Sequence, residues 1–259
     1  MHMRRCMKVS LLSIVRALAG ATIALAAHAT WADPADYVKT PLFDPHEYEF
    51  ETKYGTSKLP DGQGRISAMT GGLGYGVTSF WFTEGYVKFQ KGPGDRTRYE
   101  SAEWENRFLL TERGKSAIDA GLMLEIEVPR EREEGYELRL GPLLQTRLGQ
   151  LQLNSNFLLK RTVHAGADAG AQQTELHYQL QARYPVQADL AVGVQAFGEV
   201  GKWNHWSTRS QQNHRIGPAV FGKIALGGDE SIHYDIAWLA GASKAAPNST
   251  LRMQLEFDF

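Results

Sequence analysis

Acidic and basic residues recur two positions apart in several stretches: Glu103, Glu105 and Arg107; Glu125 and Glu127; Glu137 and Arg139. In an extended strand, residues two apart point to the same face, so each set would present its charges together. Facing carboxylates can pair with nearby bases as a neutral mesh, or they can line an aqueous passage and favour cations. If a hairpin centred near residue 132 pairs symmetrically, Glu127 lies opposite Glu137 and Glu125 opposite Arg139. A hairpin centred near 114 then sets Glu103 opposite Glu125. Like charges directly opposed destabilise a strand pair and call for a compensating reason. Glu103, Glu125, Glu127, Glu137 and Arg139 are therefore the candidate binding cluster.

Other chemistries find less support. A hydrolase needs a serine next to a histidine and an orienting group. His177 and His233 fall on the charged face of their stretches, whereas Asn106 and Ser155 fall on the apolar face with no histidine beside them. His164, His205 and His214 lie near loops, with no spacing that commits them to an acid. No catalytic residue, metal site or cofactor is assigned, and no enzyme activity is expected. The run Lys202-Trp203-Asn204-His205-Trp206 suits either a metal or sugar contact or a loop with tryptophan at a membrane rim.

The elements that must position these charges are strands. From Leu251 to Phe259 every odd position is apolar and every even one polar, ending on Phe. The same alternation recurs in Leu176 to Tyr184 and Ile232 to Ala240. Reading all such stretches predicts about twelve strands, near 44–54, 65–76, 80–91, 98–111, 116–129, 135–148, 150–162, 173–184, 188–200, 214–226, 231–241 and 248–259. Their connections alternate between short and mostly longer. Transmembrane barrels place short turns in the periplasm and longer loops outside. The expected fold is thus all-β: a closed antiparallel transmembrane barrel whose termini both lie on the periplasmic side. Its inward set adds acids such as Glu84, Asp119, Glu175, Glu199, Asp235, Glu256 and Asp258, and bases such as Lys88, Lys160, Arg183, Arg215 and Arg252. Gly141-Pro142 and Gly217-Pro218, each two residues after an arginine, predict a bulge or a locally broken strand.

Residues 1–32 read as a secretory signal peptide: Arg4, Arg5 and Lys8, then an apolar run, then cleavage sites after Ala29 or Ala32. The barrel would occupy 33–259. Cys6, the sole cysteine, precedes the apolar run and would be discarded, which excludes disulfides and thiolate-bound metals from the mature chain. A net charge of −1 with no charged tail speaks against nucleic acid.

The unit Tyr75-Gly76-Val77-Thr78, running into Phe80-Trp81-Phe82, resembles the strand-turn-strand unit of small outer-membrane barrels of the MetA-pathway of phenol degradation type. That resemblance implies a porin-like barrel passing small solutes. The alternating end with Leu255, Phe257 and Phe259 resembles the C-terminal strand by which outer-membrane barrels are recognised for assembly. The expected partners are the assembly machinery, outer-membrane lipid and lipopolysaccharide, and a small solute. The expected role is a passive, cation-preferring channel for small polar or charged solutes. The alternative is a surface-structural or binding barrel whose lumen is filled by charge. Removal of Phe259 is expected to lower the amount of heat-modifiable protein in the outer membrane severalfold; normal accumulation of the truncated chain would refute the assembly role.

Overall fold

The structure, a computed structural model, describes residues 33–166, 172–228 and 230–259. The expected signal peptide lies outside them. Thirteen strands form one sheet: β1 (Tyr48–Lys58), β2 (Arg65–Thr78), β3 (Trp81–Lys91), β4 (Arg98–Leu109), β5 (Ile118–Pro129), β6 (Tyr136–Leu148), β7 (Leu151–Val163), β8 (Thr174–Gln187), β9 (Leu190–Lys202), β10 (His205–Trp206), β11 (Asn213–Gly227), β12 (Glu230–Gly241) and β13 (Ser249–Asp258). The two-residue β10 only extends the edge of β9. The twelve long strands pair with their neighbours all the way round, β8 with β9, β9 with β11 and β13 with β1. The result is a closed antiparallel barrel. At the seam Tyr48 and Phe259 exchange backbone hydrogen bonds of 3.1 and 3.0 Å, and their rings stack.

Burial decides which solvent this barrel was built for. Phe50 and Trp104 are 50% and 53% exposed, whereas Glu84 is 2% and Glu105 0% exposed. A water-soluble fold buries the apolar face of its strands; here apolar side chains face outward and charges inward, as a barrel in lipid requires. The one polar residue expected on the outer face near mid-strand β4, Asn106, accepts a 3.0 Å hydrogen bond from the Trp81 indole.

Most strand ends lie within three residues of expectation. The first does not: β1 begins at Tyr48 rather than 44. Residues 44–47 instead turn into the barrel, His46 adopting a φ of 68° and donating its N–H to Gly76 O at 2.7 Å. In β2 the run of glycines blurs the alternation for a packing reason. Gly72 and Gly74 face inward, and the rings of Tyr86 and Phe82 lie directly on them.

The two Gly-Pro steps are broken rungs, not bulges. Between β6 and β7 the ladder pairs Leu140 with Leu159 and Leu143 with Asn156, leaving Pro142 opposite Phe157 at unchanged register. Between β11 and β12 it pairs Ile216 with Ala240 and Ala219 with Ala237, leaving Pro218 opposite Trp238. The ladders on the other side of each proline are complete, so the missing N–H belongs to the β7 and β12 sides. Deprived of a donor, the Phe157 and Trp238 carbonyls close onto the preceding glycines. A Cβ on Gly141 or Gly217 would sit 2.0 or 1.9 Å from those oxygens. A Cα–H···O contact partly replaces the lost rung. Apolar inward side chains gather at both places, Met123, Leu143 and Leu158 at one, Ala219, Ala237 and Leu239 at the other. Gly141→Ala or Gly217→Ala should force the strands apart at a cost of about 1–3 kcal/mol. The measurement is the urea midpoint of the detergent-folded barrel, with Gly71→Ala, where a Cβ meets nothing within 4 Å, as the neutral control.

Candidate functional site

The inward charges form rows because opposed residues on neighbouring strands share a level. One row runs Glu84, Glu105, Glu125, Arg139 and Lys160 across β3 to β7. The row above it runs Tyr86, Glu103, Glu127 and Glu137 across β3 to β6. The pairs Glu127–Glu137 and Glu125–Arg139 stand where the sequence places them. Glu103, however, lies opposite Glu127 and not Glu125, while Glu105 faces Glu125. The β4–β5 connection is centred one residue later than expected: the Leu110 N–H still bonds Ala120 O at 2.8 Å, and the turn proper closes around Gly114 at φ 70°. Moving the centre by one residue shifts the register by two.

Bases answer these carboxylates. Arg139 lies 3.1 Å from Glu125 and 2.9 Å from Glu137, which Lys160 also approaches at 2.6 Å. Arg107 pairs with Glu105 at 3.3 Å, Glu49 at 3.5 Å and Glu84 at 3.9 Å. Lys88 stands 4.0 Å from both Glu103 and Glu127. Lys53 pairs with Glu51 at 2.9 Å. On β12 and β13 Arg252 contacts Asp235 at 2.7 Å. The inward residues of β1, Glu49, Glu51 and Lys53, are absent from the expected set; the alternation Tyr48, Phe50, Thr52 against them was the available signal. Glu49, Glu256 and Asp258 bring carboxylate oxygens within 4.8 Å of one another, with Arg107 beside the first and His233 3.2 Å from the last.

Inward aromatic rings support cations. The Arg107 guanidinium lies 4.1 Å over Phe82, Lys53 3.7 Å over Tyr86, Arg183 5.1 Å over Phe221, and Arg215 and Arg252 each 5.4 Å over Phe197. Such stacking fixes long side chains in place as well as holding charge. Two further histidines have side-chain partners: His177 lies 3.6 Å from Glu175, and His214 meets Tyr178 at 2.9 Å and Gln212 at 2.6 Å.

The lumen holds an occupant that strand patterning did not reveal. Residues 33–47, rich in proline and belonging to no strand, run inside the barrel. Their backbone carbonyls are met by side chains of the wall: Arg215 donates to Asp33 O at 3.0 Å, Arg252 to Asp36 O at 2.6 Å, Asn156 to Lys39 O at 2.9 Å and Arg107 to Thr40 O at 3.1 Å. Side chains add to this. The Asp33 carboxylate meets Lys88 at 2.7 Å, the Lys39 ammonium pairs with Glu105, and the Tyr37 hydroxyl lies among Glu51, Tyr86 and Lys39. Pro34 lies so close to Gly55 that a Cβ there would meet its carbonyl at 2.0 Å. The segment was hidden because its partners are scattered over many strands, and no local pattern marks them.

This closed barrel, apolar without and charged within, defines an outer-membrane β-barrel. No protein-family model matches the chain, and no curated protein matches its sequence. Solved structures match its fold. An outer-membrane channel from Pseudomonas putida F1 aligns with TM-score 0.58 at 13% identity, over 88% of this chain and 98% of that one. The NanC porin aligns with TM-score 0.55 at 8% identity, over 81% and 98%. The translocator domain of the autotransporter NalP from Neisseria meningitidis aligns with TM-score 0.52 at 11% identity, over 84% and 89%. The chain therefore has the fold of the small outer-membrane channels, as the resemblance in its sequence implied.

Removing the Lys39 ammonium leaves buried Glu105 with Arg107 as its one remaining ion-pair partner among the described residues, and breaking a buried pair costs up to about 3–5 kcal/mol. Lys39→Met should therefore loosen segment 33–47. An Ala35→Cys reporter, in a chain whose other cysteine is Cys6, is expected to resist maleimide in the parent and to react at least tenfold faster with Lys39→Met. Equal labelling rates would show that this pair does not hold the segment.

Proposed function

We propose that the protein is a passive outer-membrane channel for small polar or charged solutes, exported by removal of residues 1–32, and that segment 33–47 narrows its lumen. The observation that supports the reading best is the composition of the β1–β7 wall. Nine inward-side carboxylates (Glu49, Glu51, Glu84, Glu103, Glu105, Asp119, Glu125, Glu127 and Glu137) face six bases (Lys53, Lys88, Arg107, Arg139, Arg147 and Lys160). To the lumen the segment adds one base, Lys39, and two carboxylates, Asp33 and Asp36, so the excess of negative charge belongs to the wall itself. Withdrawing the segment would therefore expose a wall with excess negative charge, and such a wall favours cations. Glu103, Glu125, Glu127, Glu137 and Arg139 would line the passage toward its outer mouth. The filled lumen also favours a second reading, a non-transporting surface or binding barrel.

Single-channel recording on refolded protein separates the two. The full chain is expected to show small or intermittent currents. A variant lacking 33–46 should show larger, steady, cation-preferring ones. Replacing Glu103, Glu125 and Glu127 together by Gln in that variant should lower the cation preference at least twofold. Silence from both forms would favour the second reading, and anion-preferring currents would remove the carboxylate cluster from the mechanism.

A further inference from the structure

At the long-loop end of the barrel, where β8 begins and β9 ends, lies an open cavity of about 270 Å³. Its lining combines Trp206, Lys202, Glu175, Gln173, Gln211 and Ser207. We infer that this cavity binds an acidic sugar ring, with the Trp206 indole as its platform and the Lys202 ammonium as the counter-charge to the sugar's carboxylate or phosphate.

The inference rests on four features. Trp206 is 61% exposed although it lines the cavity, so its ring is available to a ligand. Its neighbour Trp203 is also exposed but does not line the cavity, so a membrane-rim role for the loop does not account for where Trp206 stands. Around the indole stand two amides, two hydroxyls (Ser207 and Thr208), the His205 imidazole and a carboxylate. An occupant of that shape and chemistry has an apolar face and a rim of hydroxyls, which describes a pyranose and not a flat aromatic. The volume is near the lower end of small-molecule sites, roughly 300 Å³ upward, and suits one ring.

The charge comes from Lys202. Among the described residues it has no ion-pair partner, because its ladder neighbour Glu175 faces His177 at 3.6 Å instead. The site is also braced before any ligand arrives. Thr208 Oγ1 donates to Gln211 Oε1 at 2.9 Å, and the Gln211 N–H bonds Thr208 O at 2.8 Å. Gln212 Nε2 donates to Ser207 O at 2.7 Å, while its Oε1 meets His214, which in turn holds Tyr178 on β8. A loop fixed in this way loses little freedom on binding.

An acidic sugar at this mouth has two possible sources, a solute or the phosphorylated core of lipopolysaccharide. Calorimetry on the detergent-folded full chain distinguishes them with three probes: a uronic-acid disaccharide, its neutral counterpart, and purified lipopolysaccharide with and without its phosphates. The uronic-acid disaccharide is expected to bind at least tenfold more tightly than the neutral one. Lys202→Gln should abolish that difference, Trp206→Ala should weaken binding at least tenfold, and Trp203→Ala should leave it unchanged. Binding of phosphorylated lipopolysaccharide alone, lost in Lys202→Gln, would support the site and assign it to the membrane. Binding to none of the probes, or binding indifferent to Lys202 and Trp206, would overturn the proposal. Neither outcome depends on whether the lumen conducts.

Discussion

Hydrocarbon offers no partner to a backbone N–H or C=O, and each one left unpaired there costs several kcal/mol. Most of this structure follows from that constraint. The sheet closes on itself through β1 and β13, so no edge is left open, and the terminal residue is drawn into the seam by paired bonds with Tyr48. Where proline removes a rung, the chain compensates locally. Glycine precedes each proline because the orphaned carbonyl has to approach the backbone itself, and apolar side chains screen the same spot from the lumen.

Closure moves the problem inward. A barrel with its apolar face in lipid must place its charges in the interior, where burying an unpaired ion is costly. The protein meets this cost with mutual satisfaction. Arg139 spans Glu125 and Glu137, Arg107 spans three carboxylates over the face of Phe82, and Lys88 stands between Glu103 and Glu127. Segment 33–47 belongs to the same network from the other side. It belongs to no strand, and arginine and asparagine side chains of the wall serve carbonyls of Asp33, Asp36, Lys39 and Thr40. Wall and segment each supply what the other lacks. The segment seats Lys39 against Glu105 but also brings Asp33 and Asp36 into the lumen, so the excess of carboxylates persists with the segment in place.

Much of this was legible in the residues. Alternation at period two is a local property, readable wherever one face of a strand meets lipid and the other meets charge. It therefore revealed the number of long strands and the inward face of nearly all of them, and the short-and-long rhythm of their connections apart from 110–117, which is longer than the loops on either side of it. Glu125, Glu127, Glu137 and Arg139 came out opposed as expected because the β5–β6 turn is nearly symmetric about residue 132. What alternation does not encode is register, and a turn centred one residue later than expected slid Glu103 from Glu125 to Glu127. The start of β1 and the seat of residues 33–47 were decided only in three dimensions. Asp33, Asp36, Lys39 and Thr40 find their partners on β3, β4, β7, β8, β11 and β13, more than forty positions away along the chain, and only barrel closure brings those partners to one axis.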